Sequence, residues 1–475
     1  SMTETLQTDV IVIGAGAVGE NAADRVVRGG LSAILVEADL VGGECSYWAC
    51  MPSKALLRPG TALAEARAVA GSREAVTGAL DTGAVLDRRN SFTSQWDDAG
   101  QADWVADAGI ELVRGRARLS APREVDVRTT DGRTLRISAR HAVVLATGST
   151  PTPPPLPGLD TVDYWGTREA TSAQEIPGRL VVIGGGVSGV ELAQAYARLG
   201  SAVTLLARGP LLKSFPEPAR NLVEQGLKNA GVDVRTNTSP ASVRGADDGG
   251  VHLELEGGES VAADKLLVST GRRPALADLG LDEVGLDPRT LEVDDSGQVA
   301  GVDGGWLYAV GDAAGKVLLT HQGKYEARTA GDAIAARAAG KPAPASAAWT
   351  RYTATADKYA VPQVVFTDPE LAMVGRTVEQ ARADGLNVSE TSLDIAVAGS
   401  ALYADDYTGW AQMVVDEDRR VLVGVTFAGP GVSELLHAAT IAIVGEVPLD
   451  RLWHAVPAYP TISEVWLRLL EKYGL

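Results

Sequence analysis

An α/β fold, with two parallel-sheet domains ahead of a smaller α+β domain, is the class this sequence predicts. Three observations lead there. A strand, a glycine-rich loop, a helix and a second strand follow one another from Asp9, and the same order returns from Arg179. Towards the C-terminus the pattern changes to alternating or apolar strands and short helices. The chain's two cysteines, Cys45 and Cys50, stand close together just after the first repeat.

The first repeat opens on Asp9-Val10-Ile11-Val12-Ile13, a β-branched apolar run suited to a strand buried on both faces. It enters Gly14-Ala15-Gly16-Ala17-Val18-Gly19, and Ala-rich helical sequence continues to Arg28. The next strand, Ala33-Ile34-Leu35-Val36, ends at Glu37. In this frame Gly14 makes the tight turn, Gly16 lets backbone approach a pyrophosphate, and Gly19 lets helix pack on strand. Glu37 is placed to hold a ribose hydroxyl. These are the parts of a Rossmann-like dinucleotide-binding domain.

The second repeat has its strand at Leu180–Ile183, its loop at Gly184-Gly185-Gly186-Val187-Ser188-Gly189 and its helix from Val190 to Leu199. Gly184, Gly186 and Gly189 take the three glycine positions. Two such domains imply two nucleotides, with electrons passing between a flavin and a nicotinamide. After the strand Val203–Leu206, the position matching Glu37 is Ala207, with Arg208 next and Lys213 beyond. No carboxylate is left to bind a 2′-hydroxyl and repel a 2′-phosphate, and a guanidinium stands beside the gap. NADPH is therefore expected in preference to NADH.

Cys45 and Cys50 are separated by four residues in Gly43-Glu44-Cys45-Ser46-Tyr47-Trp48-Ala49-Cys50-Met51-Pro52-Ser53-Lys54. Zinc needs four ligands, and neither a second cysteine pair nor a nearby histidine completes a site. A structural disulfide would close a very small loop and contribute little. A reversible dithiol/disulfide couple is the functional reading, and two buried core thiols are the bland one.

At 475 residues the chain has room for about three domains. No apolar stretch approaches a membrane span, and no basic region followed by an apolar one opens the sequence. Ser1-Met2 reads as a tag remnant. A formal charge of −18 argues against nucleic-acid and anionic-membrane partners. Sparse cysteine suits a reducing, cytoplasmic setting. The expected division is a first nucleotide domain over 1–154, a second over 155–272, a return to the first over 273–346, and a last domain over 347–475. Pro151–Pro157 reads as a stiff connector and Lys341–Ser346 as a linker. Helices are expected over Lys324–Gly340, Thr377–Asp384, Ser433–Val444 and Ile462–Lys472.

Further motifs follow in order: Ala146-Thr147-Gly148, Glu191 behind the second loop, Thr270-Gly271-Arg272, Gly311-Asp312, Val365–Glu370 and Pro460-Thr461-Ile462-Ser463-Glu464. With them the chain resembles, over essentially its whole length, the FAD-dependent pyridine nucleotide-disulfide oxidoreductases. That family includes glutathione reductase, dihydrolipoamide dehydrogenase and mercuric reductase. The resemblance implies FAD held by the first repeat together with Gly43, Thr147, Gly148, Gly271 and Asp312, the last on the ribityl chain. It makes Cys50 the charge-transfer thiol against the flavin and Cys45 the interchange thiol facing substrate. Lys54 would pair with Glu191 near flavin N5. It also implies a homodimer in which the last domain forms the interface and supplies residues to the second subunit's site.

Two departures qualify the resemblance. Between the cysteines stand Tyr47 and Ala49, with Trp48 between them, where the family commonly has Asn and Gly. These aromatics either re-shape the surroundings of the redox helix or pack into the core. At the C-terminus the family's acid/base His before Pro-Thr is here Tyr459, followed by Glu464. A phenol, pKa about 10, cannot cycle protons near neutrality as an imidazole does. His454, five residues upstream, reads as a loop or helix-cap residue. A tyrosine there resembles mercuric reductases, which also carry a C-terminal cysteine pair that this chain lacks. The expected function is transfer of electrons from NADPH through Cys45–Cys50 to a small-molecule disulfide or related thiol-reactive electrophile. The alternatives are a diaphorase-like quinone or metal-ion reductase and a redox-sensing flavoprotein.

Overall fold

A computed structural model describes residues 3–341 and 347–475. Ser1, Met2 and residues 342–346 of the expected linker lie outside the described residues. Contacts divide the chain into two compact units, one of Ser1–Pro52, Asn90–Thr152 and Gly271–Asp357, the other of Ser53–Arg89, Pro153–Thr270 and Lys358–Leu475.

In the first unit, strand Glu4–Ile13 pairs in parallel with Ala33–Glu37 on one side and Thr134–Leu145 on the other. The register sets Ile13 opposite both Val36 and Leu145, so the strand ends lie level beneath the first glycine loop. Leu307–Ala309 extends the parallel set beside Thr134–Leu145. Val10, Ile11 and Val12 are fully buried, as their β-branched sequence requires. Each contributes roughly 1.5–3 kcal/mol by leaving water. Helix α1, Ala17–Arg28, buries Gly19, Ala22, Ala23 and Val26. It packs along the helix Thr320–Ala338, which starts four residues earlier than its Ala-rich sequence suggests. The close approach is made by small residues: a Cβ on Gly323 would lie 2.7 Å from Val18 Cγ2, and one on Gly331 would lie 2.6 Å from Arg25 Cβ. Arg25 and Asp332 close the contact with a 2.9 Å ion pair. Helix α2, Gly43–Tyr47, and the start of helix α3, Cys50–Arg67, carry the two cysteines. The connector is not free from its first residue, because Ser149–Pro151 pairs antiparallel with Arg272–Pro274.

In the second unit, a four-stranded parallel sheet runs in the order Lys265–Val268, Arg179–Ile183, Ala202–Leu206, Asp233–Arg235. Helix Val187–Arg198 covers it, with Leu192, Ala193 and Tyr196 in the core. A five-stranded antiparallel sheet, in the order 362–365, 370–375, 421–429, 410–416, 388–394, forms the last domain. Two of its interior strands, Trp410–Asp416 and Val421–Gly429, are buried throughout. Helices Val378–Ala383 and Leu436–Val444 accompany it. The expected last helix is divided: Ile462–Glu464 is a 3-10 turn and Val465–Tyr473 is α-helical.

Candidate active site

The first unit's loop is shaped by closures on both sides of an open position. Gly14 adopts φ +104°, and a Cβ there would lie 2.2 Å from Ala146 O. A Cβ on Gly19 would lie 1.7 Å from Gly14 O, so both positions exclude a side chain. Gly16 between them is open, its nearest neighbour being Gly43 Cα at 3.7 Å. Backbone is thus left bare at the start of a 12-residue helix, where N–H groups and helix dipole favour an anion. Glu37, at the end of its strand, accepts from Ala15 N at 3.2 Å and Ala38 N at 2.8 Å. Burial raises its pKa against these backbone hydrogen bonds.

Around the remaining first-unit motifs, Thr147 Oγ1 donates to Ala275 O at 2.8 Å, and Ala275 N–H donates to Gly148 O at 2.9 Å. Gly271 O accepts from Thr152 N–H at 3.0 Å. Asp312 Oδ2 accepts from Ser149 Oγ at 2.7 Å, and that hydroxyl in turn accepts from Arg272 Nε at 2.7 Å. Asp312 is therefore held in orientation by Ser149 and, through it, by Arg272, from two separate segments.

Cys45 and Cys50 are both free thiols, partly buried. The hydrogen bond and negative charge offered by Cys50, together with burial, push the Cys45 thiol up, while Thr320 and Lys324 pull it down. Thr320 Oγ1 lies 3.7 Å from Cys50 Sγ. Tyr47 settles the question of the aromatics: it is 2 % exposed and its hydroxyl donates to Val41 O at 2.8 Å. Trp48 leans on it at 5.8 Å between centroids, and Trp96 Nε1 donates to Tyr47 O at 3.0 Å. These rings pack beneath the cysteine loop and brace it.

The second unit's loop repeats the closures. A Cβ on Gly184, at φ +133°, would lie 1.9 Å from Ser269 O, and one on Gly189 would lie 2.1 Å from Gly184 O. Gly186 has nothing within 4 Å. Beyond the next strand, Ala207 is buried and Arg208 is exposed, with no hydrogen bond or ion pair among the described residues. Lys54, one turn after Cys50 along α3, lies 3.0 Å from Glu191 Oε1. Glu191 Oε2 accepts from Phe366 N–H at 2.7 Å, and Lys54 Nζ sits 5.2 Å from the Phe366 ring centroid. In the last domain Tyr459 is 76 % exposed. Glu464 Oε1 accepts from Arg468 at 3.2 Å, while its Oε2 is buried with no hydrogen-bond partner among the described residues. His454 stands exposed against the Trp453 ring at 5.0 Å.

Two bare-backbone loops and a dithiol are the parts of a flavin and nicotinamide enzyme, and the comparisons with known proteins agree. Residues 8–340 match the family model for pyridine nucleotide-disulphide oxidoreductases, and residues 361–469 match that family's dimerisation domain. The chain belongs to the pyridine nucleotide-disulphide oxidoreductase family. A dihydrolipoyl dehydrogenase of Thermus scotoductus is 34 % identical, covering 98 % of this chain and 96 % of that one. A mercuric reductase of Shigella flexneri is 32 % identical over 96 % of this chain and 79 % of its own length. The fold matches that of the HOCl-induced flavoprotein disulfide reductase RclA of Escherichia coli, in its Cu(II) complex. The TM-score is 0.81 at 23 % identity, over 99 % of each chain.

The family binds FAD, and the residues present fit a dinucleotide: Gly16 is open where a Cβ would otherwise stand over the helix start. Gly14, Gly16, Gly19, Glu37 and Asp312 would hold FAD, which when bound supplies the two-electron step between nicotinamide and disulfide. The sequence reading did not single out Thr320. Its signal was faint: a hydroxyl on a segment 270 residues from Cys50.

Proposed function

We propose that this chain is an NADPH-dependent FAD oxidoreductase that passes electrons through Cys45 and Cys50 to a disulfide or related thiol-reactive electrophile. The observation that carries this reading is the pair of free, partly buried thiols, with Cys50 Sγ 3.7 Å from Thr320 Oγ1. The chain's own residues divide the work. Cys45 would attack the acceptor's S–S bond, forming a mixed disulfide and releasing one acceptor thiol; Cys50, holding negative charge, would then displace the second thiol and close the Cys45–Cys50 disulfide. Glu191 holds Lys54 by charge. Arg208, unopposed by any carboxylate at 207, would take the 2′-phosphate of NADPH. The division into FAD (1–154 and 273–346), NADPH (155–272) and interface (347–475) domains goes with this reading.

We also propose a cytoplasmic homodimer. Supporting the dimer, the last domain exposes Trp453 at 51 %, Val456 at 86 % and Ile441 at 57 %. Among the described residues no helix is long and apolar enough to cross a membrane. In the dimer Tyr459 and Glu464 would stand at the second subunit's dithiol. There the phenol would hydrogen-bond a thiolate or bound electrophile while staying protonated. The exposed Tyr459 also favours a second reading, in which a quinone or metal ion is the acceptor and no imidazole is needed.

Turnover with a panel of disulfides, quinones and metal ions separates these readings. Cys45→Ser should keep quinone reduction and lose disulfide reduction. Equal disulfide turnover by the variant and the parent enzyme would overturn the assignment.

A further inference from the structure

We propose that Glu20 and Lys324 form a charge couple behind the dithiol, in which Lys324 is shared between Cys45 and the Glu20 carboxyl and thereby sets the acidity of Cys45. The proposal rests on the reading of Cys45 as the interchange thiol. Glu20 stands one residue beyond Gly19, in the first turn of α1, and is 8 % exposed. Its Oε1 is buried with no hydrogen-bond partner among the described residues. An ionised carboxylate held that way has lost its water without replacement, so it needs either a proton or a nearby cation.

The cation is Lys324, within electrostatic reach of Glu20 and of Cys45 alike. Lys324 lies four residues after Thr320, on the same face of its helix. It is half-buried and makes no hydrogen bond or ion pair of its own among the described residues. Its neighbour Gly323 meets Val18 of α1, which keeps the two helices, and hence the two charges, in register. The other titratable groups facing Glu20 are Glu37, at the end of its strand, and Tyr47, from α2. Arg25, farther along α1, is spent on Asp332.

One ammonium cannot serve two acids fully. While Glu20 is protonated, the field of Lys324 falls on Cys45 and draws out its thiolate. Once Glu20 ionises, its charge offsets that field and Cys45 holds its proton more tightly. Burial pushes Glu20 up to about 7, with Lys324 pulling the other way and Glu37 adding to the rise. The change of state therefore falls in the neutral range. Both ionisations exchange protons with solvent and need no co-reactant. Glu20 and Lys324 are positioning residues, acting on Cys45 through charge.

The test uses the FAD-loaded enzyme, reduced anaerobically with dithionite, and follows iodoacetamide alkylation against pH with the modified cysteine mapped by mass spectrometry. Glu20→Gln should raise the Cys45 alkylation rate about threefold to tenfold above neutrality. It should also remove an inflection near the value of about 7 set by Glu20. Lys324→Met should lower the rate about tenfold, and Lys324→Arg should restore it. FAD content separates these effects from lost packing, and either variant alone suffices if the other fails to fold. Unchanged profiles for Cys45 in the folded variants, or a slower Glu20→Gln, overturn the couple. Alkylation of Cys50 instead of Cys45 in the parent enzyme overturns the interchange assignment.

Discussion

The loops Gly14–Gly19 and Gly184–Gly189 share one construction. In each, a Cβ on the first glycine would collide with a carbonyl, at 2.2 and 1.9 Å, and one on the third would collide with the first glycine's carbonyl, at 1.7 and 2.1 Å. The middle glycine is open in both. They part company at the end of the following strand. Glu37 is a carboxylate oriented by three backbone N–H groups, from Ala15, Ala38 and Asp39. Ala207 is 2 % exposed and packed so closely that a Cβ on Gly185 would lie 2.8 Å from its own Cβ. A carboxylate thus ends one strand and is absent from the other, where the exposed Arg208 follows instead. The two cradles are built alike, and the residues just beyond them are not.

The largest effects come from filling the closures. Gly19→Ala should lose most of the bound FAD, read as flavin absorbance per protein. Gly189→Ala should keep the flavin and lose its reduction by NADPH. Loss of FAD from both would mean that the loops do not act separately. Next comes Arg208→Ala, which should cost about 1.5–3 kcal/mol in kcat/KM for NADPH, mainly through KM, with NADH unaffected. Equal use of the two nicotinamides by the parent enzyme would remove the contrast between Glu37 and Arg208.

Tyr459→Phe should leave both cradles and quinone reduction intact while slowing disulfide turnover about fivefold to tenfold, the loss of one hydrogen bond. Unchanged disulfide kinetics would direct attention to His454.

The last prediction concerns stability rather than activity. Gly311, beside Asp312, donates its N–H to Glu326 Oε1 at 3.0 Å. Burial, then the charge of Asp357, pushes Glu326 from 4.5 up to about 9. The folded state thus binds a proton that the unfolded chain has released. Stability should fall as pH rises through that interval, by at most ~1.4 kcal/mol per pH unit, and level off above it. Glu326→Gln should flatten the slope in denaturant melts taken across that range; a slope equal to the parent's would place the proton elsewhere.

What the sequence revealed and what it hid follow from the same contrast. Gly14, Gly16, Gly19 and their second-loop counterparts are local motifs, each set by its strand–helix frame, and so are Cys45 and Cys50. Ala207 and Arg208 could be matched to the position of Glu37 because the first loop supplied a template. Thr320, Glu20 and Lys324 were not, because their meaning lies in the packing of α1 against a helix 300 residues away. Tyr47 stood between two readings until its buried hydroxyl was found on Val41 O. The pairing of Ser149–Pro151 with Arg272–Pro274 was hidden for the same reason, since neither strand carries an apolar pattern of its own.

The central claim is that electrons entering from NADPH come to rest on the cysteine pair. Anaerobic titration of the FAD-loaded enzyme with NADPH tests it, with thiols counted at each addition. The account predicts that the first equivalent yields two thiols while the flavin stays oxidised, with a long-wavelength thiolate-to-flavin band that Cys50→Ser abolishes. Bleaching of the flavin by that first equivalent, with no new thiols, would contradict it.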